Sequence, residues 1–250
     1  MKITKYTKLT SGKYKVILED NSSIFLYEDI ILNNNLLLKK QIEDIEKIKQ
    51  ENNMYEIYYI SKKYINKKYV SKKELKVYLK KKKYLEKDIN ETIKKLEENN
   101  ILDEKDYCRA YINDKLSFSN DGPNKIKKNL LKNGISEELI DDVMEIDFKF
   151  IYNKLNNLID KKIKTINNYS GNVLKQKLIH YFINLGYDQR IVEEILINKD
   201  LYKKEEGIKE YNKLLKKYSN KYSDYELENI IRQKLYVKGF KYDEIKKQMK

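Results

Sequence analysis

The feature that most constrains the fold of this chain is a helix corner that recurs four times, about fifty residues apart. Three of the copies place a glycine at the corner. In every copy, apolar residues stand nine and five positions before the residue that follows the corner, and five and nine positions after it. These offsets match one face of an α-helix and do not match the period of two that a strand requires. The pattern therefore predicts tandem helical repeats.

The four copies align on the residue after the corner. The corner residues are Lys83, Gly134, Gly186 and Gly239, followed by Tyr84, Ile135, Tyr187 and Phe240. The apolar positions before them are Leu75, Ile126, Leu178 and Ile231, then Leu79, Leu130, Phe182 and Leu235. Those after them are Ile89, Ile140, Val192 and Ile245, then Ile93, Met144, Leu196 and Met249. Only the first copy departs from the pattern, because a lysine replaces the corner glycine.

The second copy shows how such a corner is encoded. Pro123 is tolerated in the first turn of a helix and not deeper, so a helix is predicted to begin there. Ile126 and Leu130 give that helix one apolar stripe. Gly134 is placed to end it in the left-handed conformation, and Ser136, followed by two acids, is placed to start the next helix. Two short helices are predicted to meet at this glycine.

These residues resemble the central motif of the RecX family of RecA regulators. The resemblance is carried by Asp106, Tyr107, Cys108, Arg109, Ala110, Tyr111, Ile112, Gly122, Pro123, Ile126, Leu130, Gly134 and Ile135. Residues 71–75, with the sequence SKKEL, resemble the element that opens the second helix of the family's first repeat. The resemblance runs from about residue 50 to the C-terminus, and the first fifty residues resemble the leader of longer members. The lysine corner and a preference for lysine over arginine depart from the family pattern.

The predicted fold is mainly α: tandem three-helix repeats form an elongated curved array, preceded by a small N-terminal β-rich domain. We expect the leader and a linking helix over residues 1–52, and repeats over residues 53–102, 103–146, 147–200 and 201–250. A stacked array buries its core between neighbouring repeats. It needs no second chain to do so, and we expect a monomer.

Residues 1 to about 31 have a different pattern from the rest. Alternating residues and turn signals predict three short strands, over residues 3–8, 14–18 and 24–26. A three-stranded sheet needs one covered face for stability, and the leucines at 36–38 are expected to supply the cover. A helix is expected to follow from about residue 41, with one apolar side. The residues of that side are Ile42, Ile45 and Ile48.

The charge of the chain points to an acidic partner. The 250 residues carry a formal net charge of +14, and 37% of them are charged. Nucleic acid, an acidic protein face and an anionic membrane surface all fit that charge. The opening residues lack the apolar core of a signal peptide, and no apolar run approaches the roughly 20 residues that cross a bilayer. We therefore expect a cytoplasmic protein without a membrane partner.

The strongest basic segment runs from Lys62 to Lys83, with eleven lysines and one acid, Glu74. Ser71 and Glu74 have the spacing of a capping box, which predicts a helix start. Dense like charges cost stability, whereas phosphates would neutralise them and release counterions. The alternative is a solvated face in a chain biased towards lysine. The residues expected to bind DNA or a RecA filament are Lys62, Lys63, Lys67, Lys68, Lys72, Lys73, Lys76, Lys80, Lys83, Arg109, Lys115, Lys125, Lys127, Lys128 and Lys132.

Nothing in the sequence predicts an active site. The single cysteine, Cys108, excludes an internal disulfide and is expected to be a buried thiol. The single histidine, His180, is expected to pack near the core, and alone it cannot complete a catalytic triad. We expect no cofactor and no metal. The acids after Gly134 favour a solvated helix start over a metal site: Glu137, Glu138, Asp141, Asp142, Glu145 and Asp147. The tyrosines near the lysines are expected to pack in the core: Tyr58, Tyr59, Tyr64, Tyr69, Tyr78 and Tyr84.

The resemblance implies a non-enzymatic inhibitor of RecA, acting in DNA repair, homologous recombination and the SOS response. Such a protein would bind the RecA filament on single-stranded DNA and block its extension, ATP hydrolysis and strand exchange. The alternative is a helical-repeat protein that binds nucleic acid directly, including duplex DNA, without RecA. Equal binding to bare duplex and to a RecA filament would favour this alternative. A third hypothesis, an enzyme, would require hydrolysis of nucleotide or nucleic acid by the chain alone.

Overall fold

Fourteen helices and one antiparallel sheet of three strands make up the part of the chain that the structure describes, residues 1–10, 12–145 and 147–248. The structure is a computed structural model. Its elements confirm the prediction of a mainly α fold with a small β-rich leader. Met249, the last apolar position of the repeat pattern, lies outside the described residues.

The chain divides into two compact units. Unit 1 comprises Met1–Tyr111 and Asn133–Leu139, and unit 2 comprises Ile112–Lys132 and Ile140–Lys250. Unit 1 therefore holds the leader and the first basic segment. The division into a leader and four repeats by residue range stays a prediction.

The leader sheet has the three strands that the alternation predicts. They are β1 (Ile3–Lys8), β2 (Lys13–Leu18) and β3 (Ser23–Tyr27), hydrogen-bonded in that order. Val16 and Leu18 are fully buried on one side of the sheet, which we call the inner face. Side chains alternate between the two faces of a strand with a period of two, which explains why these strands could be predicted from the sequence.

Two short helices follow the sheet, α1 (Glu28–Asn33) and α2 (Leu36–Lys39). Of the three leucines expected to cover the sheet, only Leu36 is buried, whereas Leu37 and Leu38 are 50% and 84% exposed. The expectation was wrong for those two residues because α2 is a single helical turn, in which successive side chains point about 100° apart. The other residues that fill the leader core with Leu36 include Ile30, Ile31, Ile42 and Ile48.

The long helix α3 spans Ile45–Ile65 and begins four residues later than expected. Gln41 pairs with Lys2 in an isolated bridge, so the chain is still extended there. Asp44 then caps the helix by accepting a hydrogen bond from the Lys47 amide at 3.0 Å. The predicted apolar residues are therefore divided between two kinds of structure: Ile42 lies in the extended segment, and Ile45 and Ile48 lie in the helix.

Asn52 of α3 joins this helix to the edge of the sheet. Its Oδ1 accepts the Tyr27 amide hydrogen at 2.9 Å, and its Nδ2 donates to the Phe25 carbonyl at 3.2 Å. One buried side chain therefore satisfies a donor and an acceptor of β3 that would otherwise lie on an open edge.

The remaining helices carry the repeat pattern. They are α4 (Lys72–Lys81), α5 (Glu86–Glu98), α6 (Glu104–Phe118), α7 (Pro123–Lys132), α8 (Glu137–Val143), α9 (Phe148–Thr165), α10 (Gly171–Asn184), α11 (Gln189–Ile197), α12 (Lys204–Tyr218), α13 (Asp224–Val237) and α14 (Tyr242–Gln248). Each corner has apolar residues nine and five positions before the residue that follows it, and another five positions after that residue. All twelve of these apolar residues are at most 2% exposed. The period of the sequence therefore identified core residues correctly.

The four corners share one backbone conformation. Each corner residue lies two positions past the end of its helix and has a left-handed φ, of 66° at Lys83, 88° at Gly134, 89° at Gly186 and 81° at Gly239. The lysine corner is thus a true member of the series. A non-glycine residue in this conformation costs roughly 1–2 kcal/mol.

The glycine corners also pack against the start of an earlier helix. A Cβ at Gly134 would lie 3.2 Å from Cβ of Lys73 in α4. A Cβ at Gly186 would lie 2.4 Å from the Lys125 amide nitrogen in α7. At Gly239 the Ser170 carbonyl, just before α10, leaves no space for a Cβ. Each glycine therefore admits the second helix of the preceding repeat. No repeat precedes Lys83, which explains why a lysine is tolerated there.

One expectation about the third repeat was wrong. His180 does not pack near the core but is exposed on α10. Its neighbours Leu178 and Ile179 are buried. Because successive helical residues are 100° apart, His180 projects away from the buried stripe, which continues to Phe182.

These corners generate a pair of opposite predictions. Lys83→Gly should raise the free energy of unfolding by up to about 1 kcal/mol, because relief of left-handed strain exceeds the added chain entropy of glycine. Gly186→Ala should lower it by about 3 kcal/mol or more, because a methyl group would meet backbone atoms. Urea unfolding followed by circular dichroism measures both. A loss of stability in Lys83→Gly would contradict the strain at this corner.

Candidate nucleic-acid interface

The basic segment of unit 1 is organised by the predicted capping box. The Ser71 hydroxyl accepts the Glu74 amide hydrogen at 3.2 Å, and the Glu74 carboxylate accepts the Ser71 amide hydrogen at 3.4 Å. Leu75 and Leu79 of α4 are fully buried. The lysines of α4 consequently lie outside this buried stripe, as the sequence predicted.

Lys72 lies at the first position of α4 between two acids. Its Nζ pairs with the Glu97 carboxylate of α5 and lies 3.2 Å from the Glu104 carboxylate of α6. These partners raise the pKa of Lys72, with the hydrogen bond to Glu97 as the largest cause. Lys72 therefore connects three helices in addition to carrying charge.

Lys76 and Lys80 share a single carboxylate. Each Nζ lies 3.1 Å from Oε1 of Glu86, the first residue of α5. The two lysines hold the pKa of Glu86 below its ordinary value. A carboxyl with a lowered pKa keeps its charge until the pH falls through that pKa, so the pairs are intact at neutral pH.

The acids that pair with the lysines of α4 were not predicted from the composition of the basic segment. Glu86, Glu97 and Glu104 lie outside it and reach α4 through the folding of α5 and α6. No sequence signal identified them: Glu86 and Glu104 lie in first helical turns, where acids are common for dipole reasons alone, and Glu97 lies in the last turn of α5. The segment is therefore less strongly positive than its composition suggests.

Several lysines of the segment lie over tyrosine rings. The Nζ of Lys62 is 5.7 Å from the ring centre of Tyr58, and that of Lys63 is 4.5 Å from Tyr59. The rings of Tyr64 and Tyr78 stack at 4.0 Å. The expectation of core packing is correct for the partly buried tyrosines, which are Tyr58, Tyr59, Tyr64, Tyr78 and Tyr84. It was wrong for Tyr69, which is 69% exposed in the loop before α4.

Lys67, Lys83 and Lys128 form a third class among the predicted lysines. All three are exposed, and none forms an ion pair with a residue that the structure describes. Lys68, next to Lys67, lies 3.7 Å from a Glu74 carboxylate oxygen. The stem of Lys73 packs at Gly134. The unpaired lysines present the charge most available to an external anion.

The remaining predicted residues fall mostly in unit 2. Arg109 belongs to unit 1 and lies 3.7 Å from the Asp106 carboxylate. In unit 2, Lys125 pairs with Asp121 and Lys127 pairs with Asp141, both at 2.7 Å. Lys115 lies 3.6 Å from the Asp114 carboxylate, and Lys128 and Lys132 complete the group. The fifteen predicted residues thus form two groups, one in each unit.

The acidic segment after Gly134 has structural roles. Asp141 pairs with Lys127, and Asp147 caps α9 by accepting the Lys149 amide hydrogen at 2.8 Å. Within the described ranges, no three histidine, cysteine or acidic side chains are grouped so as to hold a metal ion. Cys108 is fully buried, which confirms that prediction, and burial raises the pKa of its thiol.

None of the helices in the described part of the chain combines the length and apolar character that crossing a bilayer requires.

Comparison with known proteins gives one consistent family. Residues 103–144 match the family model for the second three-helix domain of RecX. The chain is 30% identical over 260 residues to a regulatory protein RecX of Streptococcus agalactiae serotype Ia, covering 98% of this chain and 97% of that protein. It is also 30% identical over 272 residues to a regulatory protein RecX of Lactococcus lactis subsp. cremoris, covering 98% and 95%.

Two solved structures share the fold. A crystal structure of regulatory protein RecX superimposes with a TM-score of 0.65 at 21% identity, over 78% of this chain and 98% of that chain. A crystal structure of RecX from Lactobacillus salivarius superimposes with a TM-score of 0.54 at 23% identity, over 58% and 96%.

The shared carboxylate of Glu86 generates a prediction. If Lys76 and Lys80 bind DNA phosphates, Glu86→Gln should strengthen binding of a single-stranded oligonucleotide, because both lysines lose their internal counter-charge. The slope of log K against log salt should steepen by up to about 1.4, at roughly 0.7 for each phosphate neutralised. Fluorescence anisotropy over a series of salt concentrations measures this slope.

Glu91→Gln is the matched control for charge. Glu91 lies on the same helix, is exposed, and forms no ion pair with a residue that the structure describes. This variant should leave the salt slope unchanged. Equal slopes in the two variants would show that α4 does not contact phosphate.

Proposed function

Because the chain belongs to the RecX family of regulatory proteins, we propose that it regulates the RecA recombinase. In this proposal it binds the RecA filament on single-stranded DNA and blocks filament extension, ATP hydrolysis and strand exchange. The observation that carries the proposal is the 30% identity with regulatory protein RecX over 98% of the chain. The protein acts by binding and carries out no chemistry of its own.

The charged groups support a polyanionic partner. A net charge of +14 favours approach to a nucleoprotein filament, whose DNA carries one negative charge per phosphate. Lys67 and Lys83 are available for phosphate without the loss of any ion pair described above. Ion pairs between exposed groups contribute only about 0–1 kcal/mol, so Lys76 and Lys80 can exchange their carboxylate for phosphate at little cost.

The repeated helices support a partner that is itself a polymer. Repeat arrays expose continuous surfaces that contact extended ligands. The two groups of lysines lie in different units, so we assign the group in unit 1 to DNA phosphate or an acidic RecA surface and the group in unit 2 to further contacts on the filament.

The proposal is tested by RecA-catalysed ATP hydrolysis on single-stranded DNA. The chain should inhibit hydrolysis when present well below the RecA concentration, because one molecule that caps or blocks a filament affects many protomers. Inhibition only when the protein is sufficient to coat the DNA would show competition for phosphate. That outcome would favour the alternative of direct DNA binding without RecA.

Neutralisation of the unpaired lysines tests the surface. The Lys67→Gln/Lys83→Gln variant should need several-fold more protein for half-maximal inhibition and should show a shallower salt dependence, because two phosphate contacts are lost. Reversal of Lys72 and Lys76 to glutamate is less informative. It would place new acids beside Glu97, Glu104 and Glu86 and destabilise the helix packing.

The Lys47→Gln/Lys87→Gln variant is the control. These two lysines are also exposed, and neither forms an ion pair with a described residue. The control removes the same charge from α3 and α5 and should inhibit like the unmodified protein. A Lys67→Gln/Lys83→Gln variant that inhibits fully would remove these residues from the filament contact.

A further inference from the structure

The leader sheet has a second face that α3 covers only at one end, in the row of Lys13 and Tyr27, where Tyr27 is 8% exposed and packs against Tyr55 and Tyr59. Strand register places Thr7, Lys15 and Phe25 side by side in one row across the three strands. The next row contains Lys5, Ile17 and Ser23. We call these six residues the outer face. Directly paired residues of antiparallel strands project to the same side, so the outer face lies opposite the buried Val16 and Leu18.

The outer face is basic and contains no acid. The three strands have no aspartate or glutamate at all. Neither Lys5 nor Lys15 forms an ion pair with a residue that the structure describes. The two other strand lysines, Lys8 and Lys13, are paired with Glu28 and Glu56, at 3.9 Å and 2.9 Å. Lys13 lies in the next row on the same side of the sheet, so its pair with Glu56 borders the outer face, and Lys5 and Lys15 are the strand lysines without such a pair among the described residues.

The nearest acids in sequence form no ion pair with Lys5 or Lys15. Glu19 and Asp20 lie in the turn between β2 and β3, and the Asp20 carboxylate accepts hydrogen bonds from the amide and hydroxyl of Ser22 at 2.9 Å and 2.6 Å.

Phe25 places an aromatic ring on this basic face. It is 51% exposed, whereas Leu26 next to it is 1% exposed in the leader core. The Asn52 bond to the Phe25 carbonyl fixes the backbone of β3 and leaves the phenyl ring open. A half-exposed phenylalanine directly opposite Lys15 combines the two groups that bind unpaired nucleotides, an aromatic plane and a cation.

We propose that the outer face binds single-stranded nucleic acid, with an unpaired base stacked on Phe25 and the flanking phosphates held by Lys5 and Lys15. Strands that present aromatic rings are an effective platform for splayed bases, because every base has a π-face. The apolar area of Phe25 and Ile17 is small and ringed by lysines. It therefore suits a polyanion with planar bases better than an apolar protein segment.

This inference extends the proposed function, since it gives the leader a DNA contact of its own. It does not depend on RecA, and its test contains none. The surface can therefore fail while RecA regulation stands, and inhibition of RecA can fail while the leader binds oligonucleotide.

The chain has no tryptophan, which makes a direct test possible. Phe25→Trp introduces a single indole at the outer face. Its fluorescence should be quenched when the full chain is titrated with oligo(dT) or oligo(U), and not by a duplex of the same length, because stacking needs an unpaired base. Quenching by either oligonucleotide supports the proposal, and their relative affinities distinguish DNA from RNA as the ligand.

Phe148→Trp is the matched reporter control. Phe148 is 60% exposed at the start of α9 in unit 2, next to Asp147. Its indole should show no quenching at oligonucleotide concentrations that saturate binding by anisotropy. An unchanged Phe25→Trp signal at saturation would overturn the proposal. Quenching of both indoles to the same extent, or of Phe25→Trp by duplex alone, would overturn it equally.

Affinity gives a second measurement on the same surface. Phe25→Ala should weaken oligo(dT) binding by about fivefold to a hundredfold, the range found for loss of one base stack. Lys5→Gln/Lys15→Gln should reduce the salt slope by about 1.4. Unchanged affinity in Phe25→Ala with an unchanged slope in the lysine variant would show that the outer face binds no nucleic acid.

Discussion

Close approach of backbone at the helix corners is the constraint on which the repeat structure depends. A left-handed residue ends each second helix, and at Gly134, Gly186 and Gly239 the missing side chain admits the start of a helix from the preceding repeat. The contact includes hydrogen bonds, since Gly122 N donates to the Leu185 carbonyl and Ser170 N donates to the Lys238 carbonyl, at 2.6 Å and 2.9 Å. The left-handed conformation and the close packing thus both require glycine at these three corners. The packing requirement does not apply to the first corner, at Lys83.

This double requirement explains why so much of the fold was predictable. Buried positions recur at fixed distances from a corner, and Leu79, Leu130 and Leu235 are fully buried as their spacing predicts. The errors occurred where spacing alone carried the prediction. Leu37 and Leu38 are apolar but project from a single helical turn, and Ile42 precedes the helix that its spacing suggested. Local hydrogen bonds, such as the Asp44 cap, decided those positions and left little signal in the sequence.

The candidate site was less predictable because charge compensation is a tertiary property. Glu86 lies three residues after Lys83 in sequence, yet it meets Lys76 and Lys80, because α4 and α5 fold back on each other at the corner. A short stretch of sequence cannot show which lysines pair with a carboxylate from another helix and which can bind an external anion. The structure separates lysines bound to an internal carboxylate from unpaired ones such as Lys67 and Lys128. It also shows Lys5 and Lys15 on a sheet face that composition gave no reason to single out.

The helix α3 serves two hydrophobic cores at once. Its first half packs Ile48 and Tyr55 into the leader core, and its second half packs Ile57 and Ile65 into the core of α4 and α5. Asn52 lies within the first half, between Ile48 and Tyr55, and holds the edge of the sheet. Loss of one core would leave half of a continuous helix without tertiary support, and short isolated helices are marginal in water. The leader and the first basic segment consequently form one cooperative folding unit, so a truncation between residues 52 and 53 would cut a helix rather than release a domain.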